Sequence, residues 1–333
     1  SFLWPVPAYL ALLPATAVVL HGWSRPWRRA AWTLAALGLL VAMGGYLAVS
    51  VPALRQASAG SKHYPRNFAG WEPLAAAVRE ELAAMPAATR LLVEDFKVGA
   101  ELGFALGDPR IAVLDHPLNH AHGRAPQLRL WGLQADAAAT DAPTLLVLAP
   151  GDLPFKHWLQ RYHALCARLG PLPAPRRTVM VDHGAQRFVL VELPPAAAPA
   201  ASMPAASGHQ DPAPPACVAP ALAYLDSPAA AARVAPTFEV RGWAFKEGVG
   251  LSRVEVTIDG VVVAEADYGS TFDVGGHFPG SLDPNQPQVG FQARIELPAS
   301  QAGRHWLGLR LHGDDGSVEL WPEQVIEVEP ALR

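Results

Sequence analysis

The sequence predicts two transmembrane α-helices, then an α/β extracytoplasmic domain, then an all-β sandwich. Three observations predict this. Phe2 to Leu20 and Ala30 to Leu54 carry no charged residue, and about 20 apolar residues cross ~30 Å of hydrocarbon. Residues 67–193 alternate helix-like and strand-like periods, and residues 221–330 read as short strands. Between the last two, residues 194–220 are mostly Ala, Pro and Ser, a composition that buries no core and stays extended. The expected boundaries are 1–54, 55–193, 194–220 and 221–333.

The membrane part sets a topology. Trp23-Ser24-Arg25-Pro26-Trp27-Arg28-Arg29 separates the two apolar runs. Arginine in a short connection favours the cytoplasmic face, and Trp favours the headgroup level. Residues from 55 onward are therefore expected outside, in the periplasm of a bacterial inner membrane. The chain opens on Ser1 inside an apolar run and is read as the tail of a larger membrane protein. The bland alternative for 1–54 is a pair of buried helices in a soluble domain.

Composition agrees. The chain is 50% hydrophobic and 17% charged with a net charge of -4, which gives no nucleic-acid footprint. It has two cysteines, Cys166 and Cys217. An oxidising compartment permits a disulfide between them, but spacing alone does not show that they meet.

In the α/β region, Leu74, Ala77, Val78 and Leu82 recur at helical spacing over Trp71–Ala84, and Pro86 follows. Arg90–Asp95, Ile111–Leu114 and Thr144–Leu148 are short apolar strands, with helices over Lys97–Leu106 and Phe155–Leu169. Thr178–Asp182 and Arg187–Leu193 predict a hairpin turning at His183-Gly184. Strands alternating with helices predict a parallel, Rossmann-like sheet covered on both faces, with ligands at the carboxyl ends of its strands. That edge presents Glu94, Asp95, Asp115, His116 and Asp152.

The β region offers strands at Thr237–Phe245, Val254–Ile258, Val261–Ala266, Val289–Leu297, His305–His312 and Glu323–Glu329. Asp259-Gly260 is a hairpin turn. The linker predicts that 221–333 folds without the rest.

Several clusters are candidates for chemistry. Asp115, His116, His120 and His122 are four metal-ligand types within eight positions, which makes a divalent metal a candidate although no cofactor is evident. The plain alternative is a polar loop at a strand end. Glu94 and Asp95 are adjacent carboxylates suited to divided acid and base roles, or Asp95 caps the next helix. Arg55, Lys62, His63 and Arg66 follow the second apolar run and suit anionic headgroups or a lipid phosphate. Arg124 and Arg129 suit a phosphate as well. The candidate carrier-phosphate or acceptor pocket is thus Lys62, Arg66, Asp95, His120, Arg124 and Arg129.

Gly70-Trp71-Glu72-Pro73-Leu74, then LLVEDFKVGAELGFAL (91–106), then QLRLW (127–131), together with Trp4–Leu10, resemble the C-terminal part of bacterial GT-C glycosyltransferases. These are relatives of the dolichyl-phosphate-mannose protein mannosyltransferases and of the lipid A aminoarabinose transferase. The resemblance covers about 1–193. It implies sugar transfer from a polyprenyl-phosphate donor to a glycan or lipid acceptor at the outer face of the inner membrane, with membrane lipid as a partner. The family's catalytic acids lie in an early extracytoplasmic loop with no counterpart here, so no catalytic residue carries over and this chain alone is expected to be inactive. Gly242-Trp243-Ala244, Val256–Gly260, Tyr268-Gly269, Asp273-Val274, Gly290-Phe291 and Gly303–His305 resemble an immunoglobulin-like module, with Phe272 where such modules carry Arg. The competing expectation is a non-enzymatic, membrane-anchored periplasmic protein that binds a glycan or a partner.

Overall fold

The computed structural model describes residues 6–61, 63–135, 142–152, 155–195 and 219–330. The chain forms two compact units, Ser1–Ala57 and Ser58–Arg333.

The first unit contains α1 (Val6–Gly22), α2 (Arg25–Ser50) and α3 (Pro52–Ala57). α2 has 26 residues and none of them is buried; at 1.5 Å per residue it is about 39 Å long. Its most apolar window has a mean hydropathy of 1.8. α1 is described over 17 residues, about 25 Å, with Pro14 inside. Among the described residues, one helix rather than two is long and apolar enough to cross a membrane, which corrects the expected pair. The arginine stretch is not a loop either. Ser24 is the N-cap of α2, and Arg25, Arg28 and Arg29 lie in its N-terminal turns.

The second unit begins with α4 (Trp71–Ala83), β1 (Arg90–Val93), α5 (Phe96–Leu106), β2 (Ala112–Leu114), α6 (Pro117–Ala121) and α7 (Ala125–Leu130). β3 (Gln134–Ala135), β4 (Thr144–Leu148), α8 (Trp158–Leu169), β5 (Arg177–Val181) and β6 (Gln186–Leu193) follow. The six strands form one sheet in the order β3-β2-β1-β4-β6-β5. The first four are mutually parallel, but β6 runs antiparallel to both β4 and β5. The sheet is therefore mixed, not the expected all-parallel one. The cause is the hairpin. Asp182, His183 and Gly184 take φ of 48°, 60° and 80°, which reverses the chain at once. β5 lies two places from β4 and parallel to it, and the returning β6 fills the gap in the opposite sense.

Both faces of this sheet are covered. Leu74 and Val78 of α4, Val98 and Leu102 of α5 and Leu128 of α7 pack on Val93, Val113, Leu145, Val147 and Phe188. On the other face, Tyr162 and Leu165 of α8 pack on Leu92, Leu114, Leu146, Leu148, Val189 and Val191. The strands lack polar alternation because both faces are dry.

The β module has β7 (Leu222–Ser227), β8 (Arg233–Val234), β9 (Thr237–Phe245), β10 (Leu251–Ile258) and β11 (Val261–Glu265). It continues with β12 (Asp267–Ser270), β13 (Gly290–Glu296), β14 (Gly303–Gly313) and β15 (Val318–Val328). They form a five-stranded sheet, β11-β10-β14-β15-β8, and a four-stranded sheet, β12-β13-β9-β7. Val240, Ala244, Phe291 and Ile295 of one sheet meet Val254, Val256, Leu309 and Ile326 of the other. The short β8 joins β15 in parallel, so the layout departs from the expected immunoglobulin-like sandwich.

The α/β and β modules share a core. Trp158 and Leu159 of α8 cluster with Leu222, Trp243, Phe245, Val274, Phe278 and Val289. α8 thus buries one stripe in the α/β sheet and another in the β module. The hairpin tip supports the same seam: the Glu323 N–H donates to the His183 carbonyl at 2.9 Å. A Cβ on Gly184 would lie 2.7 Å from Pro322 Cα. The expected linker, 194–220, lies outside the described residues except for 194–195 and 219–220.

Candidate functional site

β1 sits between β2 and β4, so the strand order reverses between β1 and β4. Crevices at such reversals are where open α/β sheets take ligands. Here the crevice is filled by the protein's own side chains.

Glu94, at the end of β1, is buried. Its Oε2 accepts the Ala149 N–H at 3.0 Å and its Oε1 accepts Arg161 Nε–H at 2.7 Å. His116 Nε2 lies 3.7 Å from the same Oε1, while His116 Nδ1 accepts the Leu118 N–H at 3.1 Å. The carboxylate therefore ties the ends of β1 and β4 to α8. Asp95 is the N-cap of α5, and one oxygen accepts from Lys97 N–H at 2.7 Å and Val98 N–H at 3.2 Å. Burial, then the neighbouring Glu94, pushes the Asp95 carboxyl above its ordinary range. Asn119, also buried, accepts the Phe96 N–H and donates to the Leu114 carbonyl.

Beside this network, Glu94, Leu148, Pro150, Trp158, Arg161, Tyr162 and Leu165 line a cavity of about 10 Å³, room for about one water. Burial raises the Tyr162 hydroxyl well above its ordinary range. Arg187, 3% exposed, stacks over the Trp158 and Trp321 rings. Desolvation lowers its pKa. Its Nε and Nη2, and Nη2 of Arg161, are buried without a hydrogen-bond partner.

The six candidate pocket residues do not gather here. Asp95 is in the network as a cap. His120 is exposed and pairs with Asp115 at 2.6 Å. Arg124 is the N-cap residue of α7 and reaches Gln127 at 3.4 Å. Arg129 Nε donates to the Ala125 carbonyl within α7. Arg66 Nη1 donates to the Gly151 carbonyl at 2.5 Å. Lys62 lies outside the described residues. The segment read as a ligand loop contains α6, which sends His116 inward and His120 outward, and His122 packs on Phe96. Among the described residues, no three His, Cys, Asp or Glu side chains converge as a metal site. Sequence reasoning missed Arg161, Tyr162 and Arg187. The signal was faint: α8 carries Trp158, Leu159, Tyr162 and Leu165 at helical spacing with Arg161 beside them.

A second concavity lies at the seam of the two modules. Ala174–Thr178 and Met180 face Lys246 and Ser317–Leu320 across a cleft of about 270 Å³. Its cations are anchored from behind. Arg176 pairs with Glu81 and Glu192, and Arg177 with Glu80. The buried Lys246 meets Asp315 at 3.2 Å and Glu319 at 3.0 Å.

Cys166, on α8, is oxidised in a disulfide. The chain's other cysteine, Cys217, lies outside the described residues.

No family model matches the chain, and no curated protein matches it. Solved structures give low-similarity matches. An endo-β-1,4-mannanase from Thermotoga petrophila is 14% identical over 33% of this chain and 20% of its own, with a TM-score of 0.24. The fibronectin(III)-like modules of CbhA from Clostridium thermocellum are 14% identical over 33% of this chain and 46% of theirs, at 0.22. The SrpA adhesin of Streptococcus sanguinis is 14% identical over 33% of this chain and 58% of its own, at 0.23. The chain thus spans a fifth to just over half of these three structures, and these likenesses assign it to no family.

Proposed function

We propose that this chain is part of a GT-C-type membrane glycosyltransferase, in which Ser58–Arg333 forms an extracytoplasmic platform and the transfer chemistry is supplied by other segments. In this reading α2 spans a bacterial inner membrane, with its arginines inside and the second unit in the periplasm. The donor is a polyprenyl-phosphate sugar and the acceptor a glycan or lipid of the envelope.

One observation carries the reading most. The acidic residues at the ends of β1 are already used by the fold: Glu94 joins β1, β4 and α8, and Asp95 caps α5. A cavity sized for about one water leaves no place beside them for a sugar. The oxidised Cys166 supports an extracytoplasmic location, and the arginines at the start of α2 support the topology.

The test is photocrosslinking. The full chain in proteoliposomes is irradiated with a photoactivatable polyprenyl phosphate. Peptides around Arg55, just after α2, are expected to be labelled, and the matching polyprenol without phosphate is expected to label them far less. Equal labelling by both lipids would contradict the reading.

The seam cleft favours a second reading, a membrane-anchored binding protein. Its volume sits near the lower end of small-ligand pockets, and Arg176, Arg177, Lys246 and Glu319 line it.

A further inference from the structure

The helical layer over β1, β2 and β3 exposes an apolar patch that none of the described residues covers. Phe104 is 90% exposed, Leu130 84% and Trp131 60%. All three sit in equivalent places. Phe104 is in the last turn of α5, Leu130 ends α7, and Trp131 follows it. α5 and α7 both lead into a strand of the same sheet and pack on the same face through Val98, Leu102 and Leu128. At 100° per residue, Phe104 lies opposite the buried Val98 and Leu102, and Leu130 lies opposite the buried Ala125 and Leu128. Phe104 and Leu130 therefore leave the layer on its outer face, at the same end, and Trp131 is exposed beside Leu130.

Arginines fringe the patch. Arg110 and Arg129 are exposed, and Arg79 donates to the Ala105 carbonyl at the end of α5. Against these three stand Glu101 and Asp108, the latter paired with Arg110 at 3.6 Å, which leaves an excess of one positive charge. A Trp, a Phe and a Leu fringed by arginines match the chemistry of a bilayer interface, where aromatic rings sit at headgroup level and cations meet anionic lipid. The same chain carries α2, so the unit is tethered where such a surface is available.

We propose that the outer face of the α5 and α7 C-terminal turns docks the second unit on an anionic bilayer surface, with Phe104, Leu130 and Trp131 among the headgroups. This rests on reading α2 as a membrane span, and the test separates the two claims.

The full chain is reconstituted in vesicles containing phosphatidylglycerol, and carbonate extraction reports whether it is integral. Nitroxides are placed at Phe104→Cys and Leu130→Cys, with Val261→Cys on the exposed β11 as the control. Collisions with oxygen and with a water-soluble nickel chelate are then compared. The expected result is a ratio shifted toward oxygen at 104 and 130 by several-fold over 261. A ratio equal to that at 261 overturns the proposal. Shielding from both reagents also overturns it, since protein then covers the patch. If the chain is extracted by carbonate, the span reading fails and the patch is judged by binding to added anionic vesicles. Affinity roughly tenfold weaker in the Phe104→Glu, Leu130→Glu double variant then supports docking, and affinity unchanged by it overturns docking.

Discussion

The guanidinium of Arg187 lies over Trp158, its carbon 4.3 Å from the ring centroid, and 5.4 Å from that of Trp321. This joins β6 and α8 of one module to β15 of the other. A buried cation whose Nε and Nη2 are unbonded is expensive in isolation, and stacking on Trp recovers part of that cost. Arg187→Ala should therefore cost about 2–4 kcal/mol through a cavity at the seam, while Arg187→Met should keep most of the stability. Urea unfolding of the full chain measures both. Equal losses would show that charge rather than packing holds the seam.

The shared core gives a second prediction, opposed to the autonomy expected from the linker. Removing α8 uncovers Trp243, Phe245 and Phe278 where Trp158 and Leu159 covered them. An isolated 219–333 segment should melt at least ~8 °C below the intact protein, since about 1 kcal/mol moves a domain of this size by about 4–8 °C. Equal melting temperatures would restore the view of two independent domains.

Gly242 tests the β module itself. A Cβ there would sit 2.0 Å from the Tyr224 carbonyl oxygen on the neighbouring β7. Since that atom is backbone, β7 and β9 must separate to admit a methyl group. Gly242→Ala should cost about 1–3 kcal/mol. A variant as stable as the parent would mean that the register of β7 is different.

Asp95 gives a pH dependence. Its folded carboxyl holds a proton more tightly than the unfolded chain, whose reference value is 3.8. Its contribution to stability is therefore greatest below that value and falls as pH rises through the folded pKa. Asp95→Asn keeps an acceptor for the Lys97 and Val98 N–H groups but does not titrate. The variant should gain on the parent as pH rises from about 4 toward neutrality, whereas Asp95→Ala should lose about 1 kcal/mol of capping. A parent–Asn difference that is flat with pH would contradict the burial argument.

The oxidation state of Cys166 is checked directly. Alkylation and peptide mapping of the denatured, unreduced chain should leave Cys166 unmodified, and reduction should make it reactive. Reduction should also lower stability by roughly 2–4 kcal/mol. Alkylation of Cys166 before reduction would contradict its oxidised state.

Much of the local structure was legible. α4, β9 and the Asp259-Gly260 turn fall where periodicity and turn chemistry put them, because those signals depend on near neighbours. What neighbours do not determine was not legible. The direction of β6 depends on where β5 lands, and the pairing of β8 with β15 depends on a distant strand. β7 and β12 are edge strands whose exposed residues blur the pattern. The first apolar run carries no charge, but over the described residues α1 spans 17 residues with Pro14 inside and is not long and apolar enough to cross a membrane. At the candidate site, Glu94 and Asp95 were visible as adjacent acids. The Asp95 cap was legible too, since Asp95 stands just before the helical run; the pairing of Glu94 with Ala149 and Arg161 was not, because partners 55 and 67 residues away leave no local signal.

The most direct test of the platform reading is a transfer assay. Purified 1–333 in proteoliposomes is incubated with polyprenyl-phosphate sugars and cell-envelope acceptors. The predicted result is no turnover above the protein-free control. Turnover that is abolished by Asp95→Asn or His120→Ala would contradict the account and place the catalytic site in the α/β module.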